Sequence, residues 1–496
     1  MVCFRAVCDI RFGMTRKKAE TPRELALTDF NTPHKPRPHE NAFVRPHHIF
    51  SPEDRRKAAI KAGWNVFQFP SEMLEGGDLL SDSGTSALTL DQLSALIQGD
   101  EAYGSNRGYF KLVKAFENTF GISSDTHGIF FFHQGRAAEH ALYSHLGKNL
   151  IVPSNGFFDT TRANAEANGI QAVDMQDTSD TLFGGNINLK KLEQLLKTRA
   201  ASVPLVLLTV TNNTGGGLPV SMENIKGAHA LCKQYKTSLF FDACRFAENA
   251  WFIHNHEKPY TKKSIPAIVH EMFALCDGFT ISLKKDGLAN MGGALAIKKN
   301  APLLKLIPNL LEVIADHQIL TEGHPTYGGM SGRDIMSIVE GLKYVTTEQY
   351  LSGRIKLVQD FGAYLSSLGV PVLKPIGGHA VYIDIDRFFK GTAMRREDFG
   401  GISLTALLLL KGVRLCELGA FAFGTYDAET KKETFPKKNF VRAAVPRNKY
   451  ERDDLYYVAD CIKGLYEERR HIPKAIPTYG KDKTLRHFKA RFRLGW

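Results

Sequence analysis

Between about Leu90 and Tyr344 short apolar runs recur, each closed by a polar or glycine-bearing turn. They read "GIFFFH", "LIVP", "VPLVLLTV", "TSLFFD" and "GFTIS", with helical periods between them. Runs of this length suit strands buried on both faces, and their alternation with helices predicts an α/β domain with a mostly parallel sheet. The last third differs. Strands such as "HAVYIDID" and "FVRAAVPR" keep company with helices such as "DDLYYVADCIKGLYEERR", while "LTALLLLKGV" suits a core helix, and together they predict a smaller α+β domain. Upstream, "SPEDRRKAAIKAGWN" predicts a helix with Ser51 as its cap and Pro52 at the first helical position. The expected organisation is an extended arm over 1–50, the N-terminal part of the small domain over 51–90, the large domain over 91–344 and the rest of the small domain over 345–496. No internal repeat is visible.

Composition narrows the class. A chain of 496 residues with 43% hydrophobic and 23% charged residues is an ordinary globular protein, long enough for two domains. No apolar run approaches the roughly 18 residues of a membrane span. Seven cysteines are scattered without a CxxC pair, and no secretory signal precedes them, so a reducing cytoplasm is the expected compartment. The first twenty residues are basic and poor in acid, which leaves organelle targeting open. A net charge of +12 raises nucleic acid as a partner. The basic residues are dispersed, however, apart from Lys481 to Arg493, and no nucleic-acid fold signature accompanies them. A solvated face with sites for small anions is the better reading.

In open α/β sheets ligands bind beyond the carboxyl ends of the strands, so the residues after each run are the candidates. After "GIFFF", Gln134 and Gly135 turn the chain and Arg136 starts a helix, an arrangement that offers free amides to an anion without being a P-loop. After "IVP" stand Phe158 and Asp159, an aromatic and a carboxylate. After "VPLVLLTV" comes Asn213, ahead of a glycine-rich loop. After "TSLFF" comes Asp242, with Arg245 a turn later. "GFTIS" then delivers Ser282, Lys284 and Lys285. An anion cup, a stacking ring, a carboxylate and a lysine together match pyridoxal phosphate. The cup would take the phosphate, Phe158 would cover the ring, Asp242 would keep the ring nitrogen protonated and Lys285 would bond the aldehyde. Lys284 would tune Lys285 by its charge or reach the phosphate.

The chain also resembles the β-eliminating lyases, the family of the tryptophanases and tyrosine phenol-lyases, from about Asn65 to Phe492. The segments that carry the likeness include "SDSGTSALT", "GDEAYGSNRGYF", "HQGRAAEHAL", "NGFFDTTR", "FDACRFAENAWFI", "SLKKDGLANMGG", "EGHPTYGGMSGRD", "VPR" and "TLRHFKARF". The resemblance implies an aspartate-aminotransferase-like fold of type I and Lys285 as the Schiff-base lysine. Gln134, Gly135, Arg136 and Ser282 would hold the phosphate, with Lys284 close by, and Asn213 and Arg245 would contact the ring oxygen. Arg447 and Ser83 would bind the substrate carboxylate. Tyr103 would be donated across a subunit interface of a homotetramer, and Gly84, Glu101 and Asn290 would bind potassium.

Three positions sort the family's two activities. Leu418 stands where phenol-releasing members carry an arginine, Asp159 where they carry threonine, and His487 where they carry phenylalanine. An apolar slot with acid/base groups suits an indole, so elimination of indole from L-tryptophan, leaving pyruvate and ammonia, is the expected reaction. Departures fall at His324, where the family has Phe or Met, at Leu283 and Leu218, and at Ala443 and Ala444. A phenol-lyase or a cysteine or serine lyase is the nearest alternative. An aminotransferase shares the fold, and a silent RNA- or partner-binding protein is the distant alternative.

Overall fold

The computed structural model describes residues 44–177, 179 and 182–495. Most of the expected arm therefore lies outside the described residues, and residues 44–49 are exposed and without regular structure. The Ser51 hydroxyl accepts from the Asp54 amide at 3.1 Å, and helix α1 (Pro52–Lys61) follows from Pro52.

The central sheet has seven strands: β1 (His127–Phe132), β2 (Ile151–Ser154), β3 (Gln171–Asp174), β4 (Leu205–Thr209), β5 (Ser238–Asp242), β6 (Gly278–Ser282) and β7 (Gly293–Lys298). Their order is β1-β7-β6-β5-β4-β2-β3, with β7 antiparallel to both neighbours and the remaining pairs parallel. β4, β5 and β6 are buried at every position. Alternate residues serve two cores. Val206 and Leu208 join Phe241, Phe279 and Ile281 on one face, while Leu205 and Leu207 join Phe240, Leu295 and Ile297 on the other. β7 was not expected, because "GALAIK" carries small side chains and follows a glycine-rich turn. Its five leading residues are buried between β1 and β6, where small residues fit.

Three helices position the site: α2 (Gly135–Tyr143), α3 (Asp159–Ala167) and α4 (Phe246–His256), each starting just after a strand of the central sheet. Beyond them, α5 (Glu348–Ser367), α6 (Gly400–Leu408) and α7 (Arg452–Glu467) pack around a second, antiparallel sheet. That sheet has the order β9-β10-β8, built from β8 (Ala380–Asp384), β9 (Cys416–Leu418) and β10 (Phe440–Ala444). Its core contains Val381, Ile383, Val441, Leu455 and also Leu79 from the N-terminal side. The two cores lie within one compact unit. A hairpin of β11 (Lys474–Tyr479) and β12 (Arg491–Gly495) ends the described chain.

Candidate active site

The strand register sets Thr209 and Asp242, the last residues of β4 and β5, level with Thr280 in the middle of β6, so that β6 ends one residue pair further on, at Ser282. A cavity of about 290 Å³ opens there, lined on the small-domain side by the small-sheet strand β9 and the segment between β11 and β12. Asp242, Lys284 and Lys285 line it, as do Ser83, Asn213, Arg245 and Ser282.

At one end Gln134, Gly135 and Arg136 form the start of α2, whose first amides have no helical partners. Gly135 is required there. A Cβ on it would meet the Ser282 amide nitrogen and Cβ at 2.8 Å. Burial, Lys285 and Arg136 together push the Lys284 ammonium down from its ordinary value. Lys284 also packs over Gly84, a residue at φ +73°. A cationic, amide-lined cup therefore stands at one end of the cavity, with Phe158 on a wall and Asp242 at a strand end. This donor set fits a phosphorylated pyridine aldehyde. The cup complements the phosphate and Asp242 a protonated ring nitrogen, while Lys285 supplies an amine to the aldehyde.

Phe158 caps α3, so Asp159 falls in the helix's first turn, where a carboxylate is favoured. One Asp159 oxygen accepts from the Thr160 amide at 2.6 Å. The other lies 3.1 Å from His487 Nε2, with both side chains almost wholly buried. His487 is held from behind. The Asn65 amide donates to the carbonyls of His487 and Ala490 at 3.0 and 2.7 Å, and the Phe67 and Phe488 rings flank the imidazole at 5.7 and 4.1 Å. Strand period 2 turns Cys416 and Leu418 into the cavity and Glu417 away from it.

A buried charge network adjoins the cavity. Arg245 grips Asp82 with two bonds, at 3.0 and 2.8 Å. Arg447 is fully buried, and its guanidinium donates to Asp82 at 2.9 Å and to Glu248 and Asp286 at 2.8 Å. Burial would raise the Asp82 carboxyl, yet the Arg245 and Arg447 charges hold it well below the usual carboxylate range. The Asp286 carboxyl is pushed up to about 6 by burial and by the Glu248 charge, despite Arg447. Arg447 thus stands behind the cavity wall rather than on it, because three carboxylates of the chain itself occupy its donors. Asn213 is likewise engaged, accepting from Arg442 at 3.1 Å and from Tyr382 at 2.8 Å.

Tyr103 and His324 stand together outside the cavity lining, their ring centres 5.8 Å apart, and Tyr103 is 74% exposed. His324 bonds Thr326 at 2.7 Å. Asn290 donates to the Gly84 and Ser86 carbonyls at 3.1 and 3.2 Å, whereas Glu101 pairs with Arg333 at 2.7 Å. Sequence reasoning missed Asp82, Glu139, Arg442 and Phe67, all of which line the cavity. Glu139 had a readable signal, since it lies one helical turn beyond Gly135 on the same face. Phe67 had none.

An open sheet with this strand order and a lysine beyond β6 defines a pyridoxal-phosphate enzyme of fold type I. Among solved structures, serine palmitoyltransferase from Sphingomonas wittichii is similar in fold, with a TM-score of 0.55 at 12% identity, covering 80% of this chain and 88% of that one. Leishmania major threonine aldolase is similar with a TM-score of 0.52 at 15% identity, over 78% and 99% of the chains. Residues 78–461 match the family described as beta-eliminating lyase, and the chain belongs to that family. A tryptophanase from Salinibacter ruber is 40% identical over 91% of this chain and 93% of its own length. A tyrosine phenol-lyase from Clostridium tetani is 38% identical over 90% and 96%.

Proposed function

We propose that this lyase eliminates indole from L-tryptophan, leaving pyruvate and ammonia. The observation that carries the reading is the wall opposite Lys285. It combines Leu418 and Phe67 with the buried Asp159–His487 pair and offers no free cation to a phenol. Arg442, the guanidinium on that side, is tied to Asn213 and to the Leu80 carbonyl.

Bound pyridoxal phosphate supplies a covalent anchor for the amino group and an electron sink for the α-carbon. Lys285 then takes the α-proton, and Asp242 keeps a proton on the ring nitrogen. Phe158 restrains the ring plane, and Arg136, Ser282 and the first amides of α2 fix the phosphate. Ser83 and Arg447 receive the substrate carboxylate, which exchanges with the Asp82 carboxylate on Arg447. Asp159 and His487 deliver a proton to indole C3 as the ring leaves. Tyr103 takes part from a neighbouring subunit of a homotetramer, for which its exposure leaves it free. His324 tunes the pocket that Tyr103 completes. Potassium, held by Gly84, Glu101 and Asn290, is a further part of this reading, as is a cytoplasmic site of action, which the five free cysteines among the described residues support. No described helix is long and apolar enough to cross a membrane.

The test is product release by purified protein with pyridoxal phosphate and potassium, comparing L-tryptophan, L-tyrosine, L-cysteine and L-serine. Indole with equimolar pyruvate, and no phenol, is the expected result. The Leu418→Arg variant should gain phenol release and lose indole release by at least tenfold, in line with the roughly 1.4 kcal/mol per decade of rate. Phenol from the unmodified protein, or efficient turnover of cysteine with none of tryptophan, would overturn the proposal.

A further inference from the structure

The His487 imidazole has two nitrogens, and the proposed chemistry uses only one. Nε2 meets Asp159, whereas Nδ1 is fully buried without a hydrogen-bond partner. Leaving such an atom unpaired costs on the order of 1–3 kcal/mol, so a partner is to be expected. His487 also lines a second cavity, of about 10 Å³. Its walls are mostly apolar, Val66, Phe67, Ile402 and Phe492 among them, and His487, Glu417, Thr405, Asn65 and Trp64 are the lining residues that carry polar groups. That volume is about one water, and three polar groups are the usual complement of a buried one.

Glu417 faces this cavity because Cys416 and Leu418, its neighbours on β9, face the other way. Its two oxygens accept from the Phe421 and Ala422 amides at 3.0 and 2.8 Å, which fixes the carboxylate in place. No direct contact joins it to His487, although the two interact electrostatically. Burial raises the Glu417 carboxyl, while those two amides, His487 and Arg486 pull it back. Arg486 is itself committed to Glu433 and to the Phe421 carbonyl, at 2.5 and 2.7 Å.

We propose that Glu417 is a positioning residue that acts on His487 through one water in this cavity, so that the imidazole sits between two carboxylates. The inference rests on the reading of Asp159 and His487 as the leaving-group acid. The proton balance is simple. The imidazolium donates from Nε2 to Asp159 and from Nδ1 to the water, which donates to Glu417. The Nε2 proton passes by way of Asp159 to the leaving ring carbon. The imidazole remains neutral with its proton on Nδ1, and solvent restores the missing proton after the product departs. The rest of the molecule offers weaker candidates: the paired rings of His145 and His317 do not form a metal-holding group among the described residues.

Two variants of the holoenzyme test this. Glu417→Gln removes the negative charge, and Val66→Ile fills the cavity with a methyl group while leaving the Glu417 bonds intact. In both, kcat should fall about tenfold and its alkaline limb should move down by about one pH unit, with KM and cofactor affinity within about twofold. A high-resolution crystal structure of the unmodified holoenzyme should show a water bonded to His487 Nδ1 and a Glu417 oxygen. The nuclear magnetic resonance titration of the His487 imidazole, which needs no substrate, should move down in both variants. These last two readouts stand even if the leaving group is not indole. A dry cavity, an imidazole titration unchanged in Val66→Ile, or a loss of KM and cofactor affinity in parallel with kcat would each overturn the proposal.

Discussion

Replacing Glu139 by glutamine probes the electrostatics beneath the cofactor cup. Glu139 lies on α2, is 7% exposed and accepts from the Thr161 hydroxyl at 2.6 Å. Burial, and then the Asp242 charge, push its carboxyl up from 4.5 to about 7, against the pull of Thr161, Lys285 and Arg136. Below pH 4.5 both the folded and unfolded chains hold this proton, and the group contributes nothing to pH dependence. Between 4.5 and 7 the unfolded chain releases the proton while the folded protein keeps it, so stability falls as pH rises. Above 7 the loss is complete, on the order of 3 kcal/mol. Glu139→Gln stays neutral throughout and retains an acceptor for Thr161. Urea denaturation of cofactor-free protein and variant should therefore show a variant that gains about 3 kcal/mol relative to the parent between pH 4.5 and 8. A stability difference that is the same at both ends of that range would refute the reasoning.

Two further outcomes follow from the same geometry. Asp82→Ala strips the shared carboxylate from Arg245 and Arg447 and leaves two buried guanidiniums under-compensated. A loss of about 3–5 kcal/mol, read as a lowered melting temperature, is expected. Gly135→Ala forces a methyl group against Ser282, and overpacking of that kind costs about 1–3 kcal/mol. It should weaken pyridoxal phosphate binding at least fivefold in a fluorescence titration, while circular dichroism stays that of the parent.

β1, β2, β4, β5 and β6 were legible because each is a short apolar run ended by a turn, and the residues at their carboxyl ends could be collected in order; β3, a short edge strand with polar ends that is only partly buried, was not read. β7 was not, since glycine and alanine give little contrast between faces and its burial comes from its neighbours. The cofactor-side residues Gln134, Asp242, Ser282 and Lys285 converge because they follow strands of one sheet. The charge network could not be read in the same way. Asp82, Glu248, Asp286 and Arg447 lie on four separate segments, and only the packing of the small sheet against the large one brings their charges together. Hence Arg447 was expected to bind a substrate carboxylate, while its enclosure by three carboxylates of the chain itself was not legible. Tyr103, whose expected role belongs to a neighbouring subunit, has no place at the cavity of its own chain.

The clasp of Asn65 on the backbone at His487 and Ala490 joins points 422 and 425 residues apart along the chain. This fixes an order of assembly. A chain emerging from the ribosome can close the cup, Asp242 and Lys285 around the central sheet long before His487 has been made. The His487 side of the cavity then arrives by a contact of very long sequence separation, the kind that forms slowly. A chain broken off between Lys285 and His487 would carry the residues proposed to hold the cofactor and lack the imidazole that pairs with Asp159.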